Sequence, residues 1–574
     1  MLYSPIRTSI LVFVLAVLSA LLIHLQNGQP SVMAGEKTFY IVQADNLGQA
    51  LQAARGVGAE VTHTLGIIKA VSVTVTPAQL EQLRSIEGIT LHKDHSAQVA
   101  GPIPETGHPI AIDATPLHNE GIFGQGVTIA FIDTGLWKKG GITDNHEGNY
   151  RLLAQYDATN PNFSEYLEGK FEVDIKDDSG HGTHVISVAV SSFQAESTGK
   201  YHGAAPGADI VAIKAFGENG EGHYRDVIAG IDWIVENRDI FNIRVLNLSF
   251  SAPLQSYYWE DPLNQAVMAA WEAGITVVTS AGNGGPDALT IGVPGNLPYV
   301  ITVGAINDAW TPYDKDDDYL SWWSAAGPTF EGFVKPDVIA PGGHMIGVMP
   351  PDGTIGQAHP KFFMDGGTEW FQMSGTSQAT AAVSGVIALM LEYDPFLTPD
   401  DIKCRLLDAA KAGVYTRGPH KGELMYSVFQ QGAGRVDAYA AVYSTRTGCA
   451  NGGLDVNLDM NGLEHYVGPA RQDDQGNYYV EGAGYDWNGY YNWNPTSWVE
   501  GSPFLDGNPF LDGNPFLDGN PFLDGNPFLD SNPFLDSNPF LDSNPFLDSN
   551  PFLDGNPDLD DEQPVFINSW VDGQ

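Results

Sequence analysis

Apolar residues along this chain follow three regimes. Between residues 37 and 100, short strand-like and helix-like runs alternate: Phe39–Gln43, Ile67–Val75 and Ile89–His92 read as strands, and Leu47–Arg55 as a helix. A second helix opens at Thr76, an N-cap, with Pro77 in the first helical position and Leu80, Leu83 and Ile86 on one face. The pattern predicts a small α+β unit over 36–100. From 105 to 445 the apolar runs are nearly continuous, as in Val127–Ile132, Ile210–Ile213, Arg244–Leu248, Ile275–Thr279 and Val300–Val303, with helix-length segments between them. Such strands predict a parallel sheet buried on both faces by helices. In the third regime Pro-Phe-Leu-Asp recurs every six residues from Pro503 to Asp554, nine copies in all. A proline at every sixth residue excludes a central strand, and Asn before Pro disfavours helix.

The ends add two further segments. Arg7 precedes an apolar run, Ile10 to Ile23, too short for a comfortable span and fitting the core of a secretory signal over 1–34, with cleavage after Ala34. An uncleaved N-terminal anchor is the alternative. No later stretch is long and apolar enough to span a bilayer, so the mature protein is expected to be soluble and secreted. Residues 446–500 carry a stretch crowded with Tyr, Trp and Asn, suited either to stacking on sugars or to packing on the preceding domain. The repeats of 501–574 read as an extended spacer, as a solenoid-like array, or as a Ca²⁺-binding tail.

Charge narrows the function classes. With 27 Lys+Arg against 70 Asp+Glu the chain carries −43, which excludes a nucleic-acid partner, since neutralising phosphate needs clustered bases. Residues 1–100 are neutral, whereas 472–574 hold 19 acids and no Lys or Arg, so the tail alone supplies 19 of the 43 charges. The two cysteines, Cys404 and Cys449, are too few for a disulfide-dense scaffold or a four-thiolate zinc site. They either close one bridge, worth roughly 3–4 kcal/mol on the chain-entropy account, or stay unpaired.

Three segments of the α/β region need a joint explanation. An apolar strand ends in Asp133-Thr-Gly135; Asp178-Ser-Gly-His181-Gly-Thr-His184 sets a histidine at a helix start; Ser374-Gly-Thr-Ser377 leads into a second helix whose Ala and Gly residues permit close burial. A serine hydroxyl attacks poorly unless an imidazole takes its proton, and the imidazole needs a carboxylate to fix its tautomer. Asp133, His181 and Ser377 supply that set. Thr279-Ser-Ala-Gly-Asn283 ends another strand with an amide able to donate to a developing oxyanion, together with the backbone N–H of Ser377.

At these residues the chain resembles the subtilisin-type serine proteases. Asp-Thr-Gly, His-Gly-Thr-His and Gly-Thr-Ser resemble that family's catalytic signatures in its order Asp, His, Ser, and the likeness extends to Gly203-Ala-Ala-Pro206, Asn247-Leu-Ser249, Ser324-Ala-Ala-Gly-Pro328, Lys335-Pro-Asp-Val-Ile-Ala-Pro341 and Gly432-Ala-Gly-Arg-Val-Asp437. The resemblance implies a subtilisin-like catalytic domain over 105–445, with Asp133, His181 and Ser377 as triad and Asn283 as oxyanion donor. It implies that Ser249, Phe250, Ser251 and Gly220, Glu221, Gly222 pair with substrate backbone, and that His184 is structural. Thr290 to Gly295 resembles the pocket wall, where Gly292 and Gly284 leave room for a large apolar side chain. The α+β unit resembles the family's inhibitory propeptide, of ferredoxin-like form, which the enzyme removes itself.

The expectation is thus a secreted, autoprocessed serine endopeptidase acting on proteins and peptides, inhibited by its own propeptide and needing no cofactor for its chemistry. Structural Ca²⁺ is common in the family, but its ligands here are unnamed. The rival reading is a catalytically silent surface or adhesion protein carrying the repeats. The chain departs from the family in Gln378, where Met is usual, in Ala381-Ala382, where Pro-His is common, and in an insertion around Gly343–Trp370 expected near the site.

Overall fold

The computed structural model describes residues 38–86, 88–93, 106–160, 175–364, 369–415, 421, 423–482, 487, 489 and 565–567. The signal segment and the nine repeats lie outside these residues. Two units emerge, 1–99 and 100–574.

In the first unit, β1 (Thr38–Ala44), α1 (Leu47–Gly56), β2 (Glu60–Leu65), β3 (Ala70–Val75), α2 (Pro77–Arg84) and β4 (Ile89–Lys93) form a four-stranded sheet ordered β2-β3-β1-β4. All its pairs are antiparallel, which is the split βαβ, or ferredoxin-like, topology. Both helices start where the sequence marks them. Asn46 Oδ1 accepts Gln49 N–H, and Thr76 and Gln79 close a reciprocal capping box. Ala50, Ala53 and Ala54 of α1 and Leu83 of α2 meet Val42, Val71 and Val73 of the sheet in one small core.

One expectation is corrected here. The strand read as Ile67–Val75 begins at Ala70, because Gly66–Ile68 form a 3₁₀ turn closed by Lys69 in the left-handed region. The sheet gains β2 instead, an edge strand whose polar, largely exposed Thr62, His63 and Thr64 give no apolar alternation to detect.

The second unit is built on a mainly parallel sheet. Its strands are β5 (Thr128–Asp133), β6 (Leu152–Asp157), β7 (Asp209–Lys214), β9 (Ile243–Leu248), β11 (Thr276–Ser280), β12 (Ile301–Asn307) and β13 (Tyr319–Leu320), ordered β13-β12-β11-β9-β5-β7-β6. Only β13 runs antiparallel, at the edge; β14 (Val338–Pro341) pairs in parallel with the end of β12. Every residue of β5, β11 and β12 is buried, as strands covered on both faces must be.

Among the covering helices are α3 (His181–Val190), α4 (Tyr224–Phe241), α5 (Pro262–Glu272), α6 (Thr376–Tyr393) and α7 (Pro399–Ala409). Helix α6 is buried along nearly its whole length. Its small residues let it approach α3 closely: a Cβ at Gly385 would stand 2.9 Å from Ala189 O and 2.6 Å from Ala204 Cβ.

Residues after 445 continue this unit. Cys404 of α7 and Cys449 form a disulfide with Cα atoms 5.1 Å apart. Ala450 and Tyr466 join the main core, while the hairpin of β17 (Ala470–Gln472) and β18 (Tyr478–Val480), with Trp487, covers Phe429. The aromatic stretch therefore packs on the α/β layers as far as it is described. Two short strands, β8 (Glu221–Gly222) and β10 (Phe250–Ser251), flank β19 (Val565–Ile567) in a separate three-stranded sheet. The insertion forms a hairpin of β15 (Met345–Val348) and β16 (Trp370–Met373) that leads straight into Ser374.

Candidate active site

Strands β11, β9 and β5 are successive parallel neighbours, so their carboxyl ends share one edge of the sheet. Asp133 is the last residue of β5, Ser249 follows β9, and Asn283 lies just beyond β11. That edge is where open α/β sheets place their chemistry.

Asp133 Oδ1 lies 2.7 Å from His181 Nδ1, both groups buried. The carboxylate also accepts Thr134 N–H at 2.8 Å, so its orientation is fixed before the histidine meets it. The glycines of the two motifs touch back to back. A Cβ at Gly182 would sit 2.4 Å from Gly135 O, and Gly135 itself has φ 118° and Lys176 O where a Cβ would go. The pairing of carboxylate and imidazole thus depends on bare backbone at both positions.

A residue that the sequence reading missed holds the two motifs in register. Asp177, fully buried, accepts from Gly180 N (2.7 Å), Thr183 N (2.8 Å), Thr183 Oγ1 (2.7 Å) and Thr134 Oγ1 (2.7 Å). Thr134 Oγ1 in turn accepts Gly182 N–H at 2.9 Å. Burial raises the Asp177 carboxyl above its ordinary value, and these hydrogen bonds pull the other way. The sequence signal was faint: an acidic residue four positions before His181, one of a pair with Asp178.

Ser377 stands in the first turn of α6. Its Oγ donates to Ser249 O at 2.9 Å, and Ser249 Oγ returns a bond to Ser377 O at 3.1 Å. His181 Nε2 is buried and has no hydrogen-bond partner, so the ring nitrogen opposite Asp133 is the one left to receive a proton. Catalytic hydrogen bonds commonly tighten only when substrate is bound.

Asn283 shows the same pre-set character. Its Oδ1 accepts Thr376 N–H at 3.0 Å and Thr376 Oγ1–H at 2.9 Å, which orients the amide and leaves Nδ2 as a buried donor without a partner. An unpaired buried donor costs stability, and here it is held at the N-terminus of α6, where negative charge is favoured.

The other expected residues fall around this edge. Gly220, with φ 76°, precedes β8; Phe250 and Ser251 are β10. The Phe250 ring is turned into the core against Phe216, so its part in any binding is through its backbone. Ser251, Gly284 and Gly292 line one cavity of about 620 Å³, walled also by Leu289, Ile291 and Phe330, with Tyr257 and Glu260 among its polar neighbours. Gly292 is required there, since a Cβ would stand 2.7 Å from Ala252 O.

His184 is buried with Nε2 3.1 Å from Phe371 O, and burial pushes its imidazole down to about 4, leaving it neutral. Gln378 Nε2 reaches His184 Nδ1 at 3.4 Å. The insertion packs on the histidine loop: Thr354 N and Ile355 N donate to Asp178 O and Ser179 O, and Met349 fills the space over Gly180. Among the described residues no group of three or more His, Cys, Asp or Glu is placed to hold a metal ion, and none of the helices is long and apolar enough to cross a membrane.

The chain is similar to several known proteins. A family model for the subtilases matches residues 124–434. Serine protease AprX of Bacillus subtilis is 35% identical over 345 residues, covering 58% of this chain and 73% of that protein. Subtilisin E of Bacillus subtilis is 29% identical over 361 residues, covering 62% of this chain and 78% of its own length. Among solved structures, fervidolysin from Fervidobacterium pennivorans, a keratinolytic enzyme related to subtilisin, is matched at 22% identity with a TM-score of 0.43, over 73% of this chain and 62% of that one.

Proposed function

The chain belongs to the subtilase family and is a serine-type endopeptidase, and from that premise we propose that Ser377 is its nucleophile, His181 its general base and acid, Asp133 the orienting carboxylate and Asn283 the oxyanion donor. The observation that carries this assignment is the pair of unpartnered buried nitrogens, His181 Nε2 and Asn283 Nδ2, the first fixed from behind by the Asp133 carboxylate and the second by the Thr376 N–H and hydroxyl that donate to Asn283 Oδ1. A silent scaffold has no use for either, since each is a cost to folding.

In the proposed reaction Ser377 Oγ attacks the substrate carbonyl carbon while His181 Nε2 takes its proton. Asp133 Oδ1 accepts from Nδ1–H throughout, which keeps the imidazole in the needed tautomer and stabilises the imidazolium. Asn283 Nδ2 and the Ser377 N–H bind the oxyanion. The imidazolium then protonates the leaving amine, and water, deprotonated by His181, hydrolyses the acyl-enzyme. The backbone of Gly220–Gly222 and Ser249–Ser251 aligns an extended peptide, and the cavity beside Gly292 takes a large apolar side chain.

We further propose that the enzyme is secreted, and that the ferredoxin-like unit is a propeptide which inhibits the enzyme in cis and is removed by Ser377 itself. The test is the intact mass of secreted wild type beside Ser377→Ala, together with hydrolysis of a protein substrate. Loss of the N-terminal unit and activity in the wild type alone is the expected result. Identical trimming of both forms, or equal hydrolysis by both, contradicts the proposal.

A further inference from the structure

Strands β8 and β10 do not pair with each other; both pair with β19, giving the order β10-β19-β8 with every pair antiparallel. Phe566 is matched on both sides, with Ser251 across one ladder and Glu221 across the other; Ile567 faces Phe250 and Val565 faces Gly222. These flanking strands have two residues each, too short to hold one another as an isolated pair. Their facing edges therefore form a slot that β19 fills as an added strand.

The slot lies at the chemistry. Strand β10 begins one residue after Ser249, the carbonyl of which accepts the Ser377 hydroxyl, and its Ser251 lines the cavity beside Gly292. Seven residues, from Val565 to Val571, carry neither charge nor proline, whereas each copy of the six-residue repeat contains both. Val, Phe and Ile also have high strand propensity. Of these two parts of the C-terminal region, only the segment following the repeats can offer a backbone donor at each position without bringing a charge into the slot.

We propose that Val565–Ile567 is an intramolecular ligand of the substrate groove, a backbone strand in the place of an extended peptide that competes with substrate for β8 and β10. The proposal rests on the endopeptidase reading above and adds to it a second, C-terminal control on access. Recognition is by main-chain pairing, and tethering makes occupancy independent of protein concentration.

The test compares the full-length enzyme, its C-terminus verified by intact mass, with an enzyme ending at Gln563 and with full-length Phe566→Pro, which cannot complete the ladder. If the segment fills the slot in about nine of ten molecules, both variants show about tenfold lower KM for a peptide substrate at unchanged kcat. A synthetic peptide spanning Glu562–Gln574 added to the shortened enzyme raises KM again without changing kcat, and the same peptide carrying Phe566→Pro does not. Clipping of the wild type just beyond Ile567, absent in Ser377→Ala, also supports the proposal, since the segment then entered the groove as substrate. One KM shared by all three enzymes, or a peptide that fails to compete, overturns it. Labelling of all three by a covalent serine probe keeps the endopeptidase reading intact in that event; absence of labelling sinks that reading instead.

Discussion

If Asn283 is the oxyanion donor proposed above, removing its N–H separates a catalytic role from a structural one. In Asn283→Asp the Oδ1 that accepts Thr376 N–H and Thr376 Oγ1–H can stay in place, while Nδ2 is replaced by an oxygen that cannot donate. One lost hydrogen bond to an oxyanion in a water-poor site costs about 3–4 kcal/mol of transition-state stabilisation, a general figure for such donors that corresponds to 10²–10³ in kcat. The new carboxylate adds repulsion, so the loss falls at or beyond the upper end. Because the amide has no role toward a ground-state peptide, KM changes by less than about threefold. Asn283→Leu removes acceptor and donor together. It leaves the Thr376 N–H without its acceptor, at about 1–3 kcal/mol, while the hydroxyl loses its acceptor but still accepts the Gly282 N–H, at a smaller cost. Single-turnover hydrolysis of a peptide substrate gives the rate, and thermal unfolding gives the stability. The reasoning predicts that the Asp variant loses rate but little stability and that the Leu variant loses both. A folded Asp variant within tenfold of wild-type kcat would refute it.

Three other outcomes follow from named contacts. Asp177→Ala strands the Gly180 and Thr183 N–H groups; unfolding free energy falls by about 3 kcal/mol and kcat falls more than KM rises, with Asp177→Asn milder in both, as denaturant titration and kinetics will show. Replacing Cys404 and Cys449 together by Ala opens a bridge spanning 45 residues, which lowers stability by about 3–4 kcal/mol on the chain-entropy account while leaving kcat at 25 °C unchanged. Burial lowers His118 to about 4, so the unfolded chain takes up a proton below pH 6.5 that the folded chain refuses until about 4. Its contribution to stability is thus present above pH 6.5 and is lost progressively between 6.5 and 4. The stability advantage of wild type over His118→Gln narrows across that window by about 3 kcal/mol, measured by denaturant unfolding at each pH. The comparison with a variant is needed because buried Glu331 and half-buried Asp318, both raised to about 7, titrate in the opposite sense.

Sequence legibility tracked how local the cause was. Strands β5, β7, β9, β11 and β12 were readable because burial on both faces leaves a nearly continuous apolar run. The start of α2 was readable because Thr76, Pro77 and Gln79 act within one turn. Motif residues Asp133, His181 and Ser377 stood out by spacing, and the structure brings the first two into direct contact. What escaped was set by distant partners or by polar surfaces. Edge strand β2 carries polar, exposed residues; Asp177 matters only because Thr134 and Thr183 converge on it; and β19 is three residues whose pairing is decided by β8 and β10, more than 300 positions upstream. Cys404 and Cys449 could be counted in the sequence, but only the fold brings their Cα atoms within 5.1 Å.

The most direct test of the central claim is covalent labelling by a fluorophosphonate, with the adduct located by peptide mass spectrometry. The account predicts a single adduct on Ser377, abolished in Ser377→Ala and slowed by orders of magnitude in His181→Ala, since the hydroxyl then lacks its base. Labelling that persists in Ser377→Ala, or a rate indifferent to His181, contradicts it.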